Sequence, residues 1–235
     1  MKRTILLSAL TLLTGTAIVV GQNAKDQVSN AAKQLGEKAS YSWKTTVAVP
    51  EGSRGRTGPT EGKLEKGGYT HLKMTFGENT TQAVLKGDKA AVSSPEGGWR
   101  STSELENSEG PGRFMAGMFR NYQSPAVQAA QIAADTKELK KDGDAYSGEL
   151  TEAGAKKLLS WRGRGGGAGP EISDAKGAVK FWVKDNVLTK YEYKVTGKMT
   201  FNNNEREVDR TTTVEIKDIG TTKVEVPEEA KKKLT

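Results

Sequence analysis

The chain has 235 residues, 36 Lys and Arg against 29 Asp and Glu, a net charge of +7, one His and no Cys. Without Cys, disulfides and a lipidated N-terminal Cys are excluded, and zinc chemistry with nitrogen and sulfur ligands has almost nothing to draw on. The acids and bases are interspersed, so the positive balance serves solubility and at most biases the surface toward anionic membrane; it gives no nucleic-acid face.

Lys2 and Arg3 precede an apolar run from Ile5 to Val20. That run is shorter than the roughly twenty residues needed to span a bilayer. The pattern predicts a secretory signal over residues 1–21, cleaved after Gly21, with Ala24 as a second candidate and an uncleaved anchor as the competing reading. Its removal takes Lys2 and Arg3 and lowers the net charge from +7 to +5. Residues 22–39 read as a polar linker or a short helix, with Val28, Ala31, Ala32 and Leu35 at helical spacing. Residues 40–235 read as one domain.

Ser40–Val49 is predicted as the first strand, with Tyr41, Trp43, Thr45 and Val47 on one face, followed by a Gly/Pro/Arg loop over Pro50–Gly58. Strands then follow at Glu61–Lys66, Tyr69–Phe76, Thr80–Leu85, Lys89–Ser93 and a short piece at Trp99. Gly67-Gly68, Gly77-Glu78-Asn79, Gly87-Asp88 and Pro95-Glu96-Gly97-Gly98 separate them, the pattern of an antiparallel meander. The period then changes. Phe114, Met115, Met118, Phe119 and Tyr122 share one face of a helix. Pro125 opens a second helix to about Ala134. Thr136–Lys141 and Ala145–Leu150 form a hairpin around Asp142-Gly143-Asp144. Thr151 caps a third helix to about Trp161, and Arg162–Pro170 is a Gly-rich loop. Lys176–Val183 is a strand that turns at Lys184-Asp185-Asn186.

Lys190–Phe201 then alternates strictly: Tyr191, Tyr193, Val195, Gly197, Met199 and Phe201 on one face, Lys, Glu and Thr on the other. After the turn at Asn202–Asn204, Arg206–Ile216 alternates again, with Val208, Thr212, Val214 and Ile216 together. This long hairpin has one apolar face that something must cover. Lys223–Val226 is expected to end the sheet, and Pro227 to open a short basic helix. Strands, then helices, then strands give an α+β fold with one antiparallel sheet and helices grouped on one face.

The closing segment resembles a known family. Phe181-Trp182-Val183-Lys184-Asp185-Asn186-Val187-Leu188-Thr189-Lys190 is similar to the hairpin of the bacterial lipoprotein-carrier superfamily, the LolA-like and LppX-like envelope proteins. Asp218-Ile219-Gly220, Val224, Val226-Pro227 and Ala230 are similar to its ending. The resemblance implies a strongly curved antiparallel sheet, an incomplete β-barrel, whose concave face is covered by helices and whose cavity holds acyl chains. The missing Cys sets the chain apart from the lipid-anchored members.

The chemistry-bearing residues support no enzyme. His71 would have to serve any Ser-His-Asp triad, and no G-x-S-x-G elbow is present, so His71 reads as structural. Asp142 and Asp144 read as turn residues, since the rest of a calcium loop is missing. The Gly-rich loop at 162–170 lacks the Lys-Ser/Thr of a phosphate loop. The Met/Phe helix is either core or an adaptable lid. Arg210 shares the apolar face of its strand; it pairs with a carboxylate, lies at the rim, or holds a ligand head group. The candidate ligand-binding residues are therefore Phe114, Met115, Met118, Phe119, Tyr191, Tyr193, Val195, Met199, Phe201, Arg210 and Val214, with no catalytic residue, metal or cofactor. The expectation is an exported, monomeric binder or carrier of an apolar ligand or lipoprotein, in transient contact with the membrane surface and without nucleic acid. The alternative is a non-enzymatic envelope scaffold with a filled core.

Overall fold

The computed structural model describes residues 23–52, 58–94, 97–108, 110–160, 170–201 and 204–235. The expected signal peptide, Trp161 and most of the Gly-rich loop lie outside the described residues. The fold is α+β, with one open, strongly curved antiparallel sheet of 11 strands. The strands are β1 (Ser40–Ala48), β2 (Thr60–Glu65), β3 (Thr70–Phe76), β4 (Asn79–Lys86), β5 (Lys89–Ser93), β6 (Trp99–Ser101), β7 (Lys140–Asp142), β8 (Ala145–Glu149), β9 (Glu171–Lys184), β10 (Val187–Phe201) and β11 (Asn204–Lys217). Their spatial order is β6-β5-β4-β3-β2-β1-β11-β10-β9-β8-β7.

This order follows from two meanders and one crossing. β1 to β6 run outward through tight turns that place Gly67, Gly77 and Gly87 at positive φ, a conformation that costs glycine little. The chain then crosses the whole sheet as helices and restarts at the opposite edge with β7. β7 to β11 meander back until β11 pairs with β1, Trp43 opposite Ile216 and Thr45 opposite Val214. The turn between β9 and β10 has Asp185 and Asn186 both at positive φ, as a two-residue hairpin turn requires. Both edge strands have three residues, and β7 is Lys-Lys-Asp, fully exposed. Short, charged edges resist further strand pairing.

The helices are α1 (Ala24–Glu37), α2 (Thr102–Glu106), α3 (Pro111–Arg120), α4 (Pro125–Ala134), α5 (Glu152–Leu159) and α6 (Glu228–Lys232). Residues 24–37 take the helical of the two readings: α1 is capped by Asn23 and buries Val28, Ala31, Ala32 and Leu35 in the main core. It packs on α4 through small side chains, Ala126, Ala129 and Ala133 on the α4 side, which lets the two axes come close. α1 and α5 lie over β9 and β10, whereas α2 and α3 sit over β5 at the other side.

Two sequence expectations change. Lys223–Val226 is not a strand; its alternation finds no partner strand. The segment instead crosses the sheet, with the Val224 N–H donating to Glu65 Oε1 at 2.7 Å. α6 then docks on the outer face, where Ala230 and Leu234 join Val84 and Ala91 in a second cluster. Val84 points outward because its neighbours Ala83 and Leu85 point into the main core. The third predicted helix stops at Leu159, with Ser160 as its C-cap.

Candidate functional site: an uncharged aromatic cleft

The concave face is closed tightly in one half and loosely in the other. Under α1 and α5 the hairpin face is filled: Val195 and Val214 are almost entirely buried, in one core with Val28, Leu35 and Leu159. Gly197 permits this closeness, since a Cβ there would meet Leu159 Cδ1 at 2.7 Å. A bulge opposite Thr196–Lys198, with Asp174 at φ 54°, bends β9 at the same level.

Between that half and α3, a cleft of about 320 Å³ opens over β1, β2 and β3. Its floor is Trp43, Thr45, Thr60 and Leu72, with Tyr191 and Tyr193 along the β10 side. Its roof is Phe114, Met118, Asn121 and Tyr122 from α3 and the following turn, then Gln123, Pro125 and Gln128 leading into α4. None of the described residues lining it is charged.

Aromatic rings shape the cleft. Tyr191 and Tyr193 stack at 6.5 Å, Phe181 backs Tyr191 at 6.3 Å, and Tyr41 tilts against Trp43 at 5.7 Å. Trp43 lies flat on the floor because Gly62 faces it across the β1–β2 pair; a Cβ at Gly62 would stand 2.0 Å from Trp43 Cζ2. The Tyr191 hydroxyl donates to Gln128 Oε1 at 2.6 Å, tying the hairpin to α4. Burial holds the Tyr191 and Tyr122 phenols well above the ordinary tyrosine range, and neighbouring tyrosines add to the shift. Tyr193 is raised by burial and drawn partly back by Thr212 and Arg210. All these phenols therefore stay neutral.

The structure brings together only part of the predicted set. Phe114, Met118, Tyr191 and Tyr193 line the cleft. Phe119, Val195 and Val214 are core, and Met115 packs against that core. Met199 stands farther along β10, half-buried opposite Ile172 and Arg206. The side chain of Phe201 lies outside the described residues. Arg210 is half-buried, and its Nη2 donates to the Leu158 carbonyl at the C-terminal end of α5. A cation at a helix C-terminus is favourable, and this main-chain partner is none of the three foreseen. Its Nε is buried without a partner. Sequence reasoning missed Trp43, Thr45 and Thr60 as site residues, although their alternation placed the first strand's apolar face correctly. His71 Nε2 pairs with Gln82 Oε1 at 2.9 Å. Among the described residues no three His, Cys, Asp or Glu side chains group as a metal site.

Fold and cleft together define the class: an open, curved antiparallel sheet, helically covered, with a cleft on its concave side whose described lining is uncharged. The chain is similar to the crystal structure of LprF from Mycobacterium bovis, at 12% identity over 88% of this chain and 97% of that one, with a TM-score of 0.46. It is similar to lipoprotein LppX from Mycobacterium tuberculosis, at 12% identity over 86% and 97% of the two chains and a TM-score of 0.47. A LolA superfamily protein from Nitrosomonas europaea aligns at 12% identity over 86% and 95%, with a TM-score of 0.35. The likeness is one of fold. No protein-family model matches the chain, and no curated protein does.

Proposed function

We propose that the protein is an exported, non-enzymatic binder or carrier of an apolar ligand, an acyl chain or the lipid part of a lipoprotein, in the bacterial cell envelope. The observation that carries this reading is the cleft itself, solvent-reachable and floored by Trp43, Leu72 and Tyr191 in the middle of an otherwise filled core. Its 320 Å³ stands at the lower end of the roughly 300–1,000 Å³ of small-ligand sites, so it holds one acyl chain of the cargo at a time. Phe114 and Met118, half-buried on α3, are the adaptable side of the wall. Export rests on the basic and apolar pattern of residues 1–21. The protein acts as a monomer that touches the membrane surface while it loads.

Native mass spectrometry of protein purified without detergent tests this, together with displaceable binding of a fluorescent fatty acid. The expected result is one apolar ligand per chain, lost in a Met118→Trp variant whose indole fills the cleft. Absence of both co-purified lipid and displaceable binding refutes the reading. The filled half of the concave face under α1 and α5 favours a second reading, an envelope scaffold. Its mark is a protein partner recovered by cross-linking with no ligand bound.

A further inference from the structure

The ligand's chemistry is constrained by what the cleft does not offer. Its polar groups are hydroxyls and amides: Thr45 and Thr60 on the floor, Tyr193 at the β10 side, and Asn121, Tyr122 and Gln123 on the roof, where Gln128 Oε1 already accepts from Tyr191. Among the described residues no cation lines it; Arg210, which stands on the same face of the sheet and acts on Tyr193 at the cleft's β10 side, spends its Nη2 on the Leu158 carbonyl. The tyrosines stay neutral, so pH does not create a charge there either. An anion entering this cleft loses water and meets no counter-charge among the described lining residues, which is unfavourable. A hydroxyl, ester or amide loses less water and finds donors and acceptors of its own kind.

We infer that the cleft selects an apolar chain ending in an uncharged polar group (an alcohol, ester or amide) and discriminates against the same chain ending in a carboxylate or phosphate. This rests on the cleft being a ligand site. Thr45 and Thr60 face each other across the β1–β2 pair and place two hydroxyls side by side on the floor. They are the specificity-determining residues, because the rest of the floor is aromatic or aliphatic.

The test is isothermal titration of the full delipidated protein with lauryl alcohol, methyl laurate and laurate at neutral pH, with a fluorescent alkane-chain probe as reference. The alcohol and ester bind about tenfold or more tighter than laurate. Thr45→Val with Thr60→Val lowers alcohol affinity roughly two- to tenfold, the loss expected for one or two hydrogen bonds, while the alkane probe binds as tightly or more tightly on the more apolar floor. Thr45→Lys, at a half-exposed position that accepts a long side chain, moves the preference toward laurate. Circular dichroism confirms that each variant is folded. Wild-type protein that binds laurate as tightly as the alcohol, while binding the probe, overturns this inference and leaves the ligand-site reading standing. Protein that binds none of the four, probe included, removes the ligand-site reading and this inference with it.

Discussion

Gly62→Ala is the most discriminating substitution in the sheet. In an ordinary strand it would stabilise by about 0.4–1 kcal/mol, because glycine loses more chain entropy on folding. Here the new Cβ would stand 2.0, 2.2 and 2.5 Å from three atoms of the Trp43 indole. Real Cβ contacts do not come so close, so the ring must move. It cannot sink into the sheet, and Tyr41 lies 5.7 Å away on the same strand. The free volume is the cleft above. Overpacking of this kind costs about 1–3 kcal/mol, which outweighs the entropic gain and leaves a net loss of about 1–2 kcal/mol. For a chain this size that is roughly 2–8 °C in Tm. The indole displaced into the cleft also blocks the ligand. Thermal and urea unfolding measure the first effect, ligand titration the second. Adding Trp43→Leu to Gly62→Ala restores part of the stability, a coupling expected for residues in contact. A Gly62→Ala protein as stable as wild type, with ligand binding intact, would refute both the clash and the placement of Trp43 on the floor.

Three further perturbations test other parts of the fold. The outer face carries a row of alternating charges across five strands, Lys190, Glu215, Lys44, Glu61 and Lys73, ended by Lys190 over the Trp182 ring at 4.7 Å. Glu215→Lys sets like charges on both sides and costs about 0.2–1 kcal/mol per pair, a loss that added salt diminishes in urea titrations. Arg210→Ala removes both the charge at the end of α5 and the packing of its stem, whereas Arg210→Met keeps the packing and deletes the unpartnered Nε; Met is expected to cost less, and equal urea midpoints for the two would assign the role to charge alone. Glu104 accepts from Lys233 at 2.6 Å, and the Lys233 ammonium with the Ser101 N–H brings its carboxyl from 4.5 down to about 2. Because the folded value is the lower one, the contact contributes fully above about pH 4.5 and is lost as pH falls toward 2. Hydrogen-exchange protection in α6, taken relative to the intrinsic rate at each pH, should fall across that window, and Lys233→Ala should remove most of the pH dependence.

The strands were legible because their signals are local. Glycines at positive φ mark the turns, and alternation marks the faces, so Tyr191, Val195 and Val214 were placed inward correctly. α2 was legible in principle: Ser101 and Glu104 form a capping box, a signature readable from four residues. What stayed hidden depends on distant partners. Lys223–Val226 alternates as a strand does, yet its hydrogen bond goes to the Glu65 side chain, a pairing no local pattern encodes. Arg210 finds a carbonyl 52 positions away. For α1 the linker reading stayed open beside the helical one because two of its four buried residues are alanines, and the close approach of α4 turns those alanines into core.

The cleft has a cause in the same residues. α1 and α4 meet through alanines and settle deep, and α5 follows because Gly197 admits Leu159. α3 carries Phe114 and Met118 toward the sheet, bulky side chains that hold its axis away. The floor changes in step: valines under the tightly packed half, Thr45 and Thr60 under the looser one. Hydroxyls are costly under a sealed helix and harmless beneath a cleft that water can reach. Side-chain size sets where the cover lifts, and side-chain polarity matches that lift. The void therefore falls over β1, β2 and β3 beside Tyr191 and Tyr193, and its floor carries threonines rather than the valines that fill the hairpin.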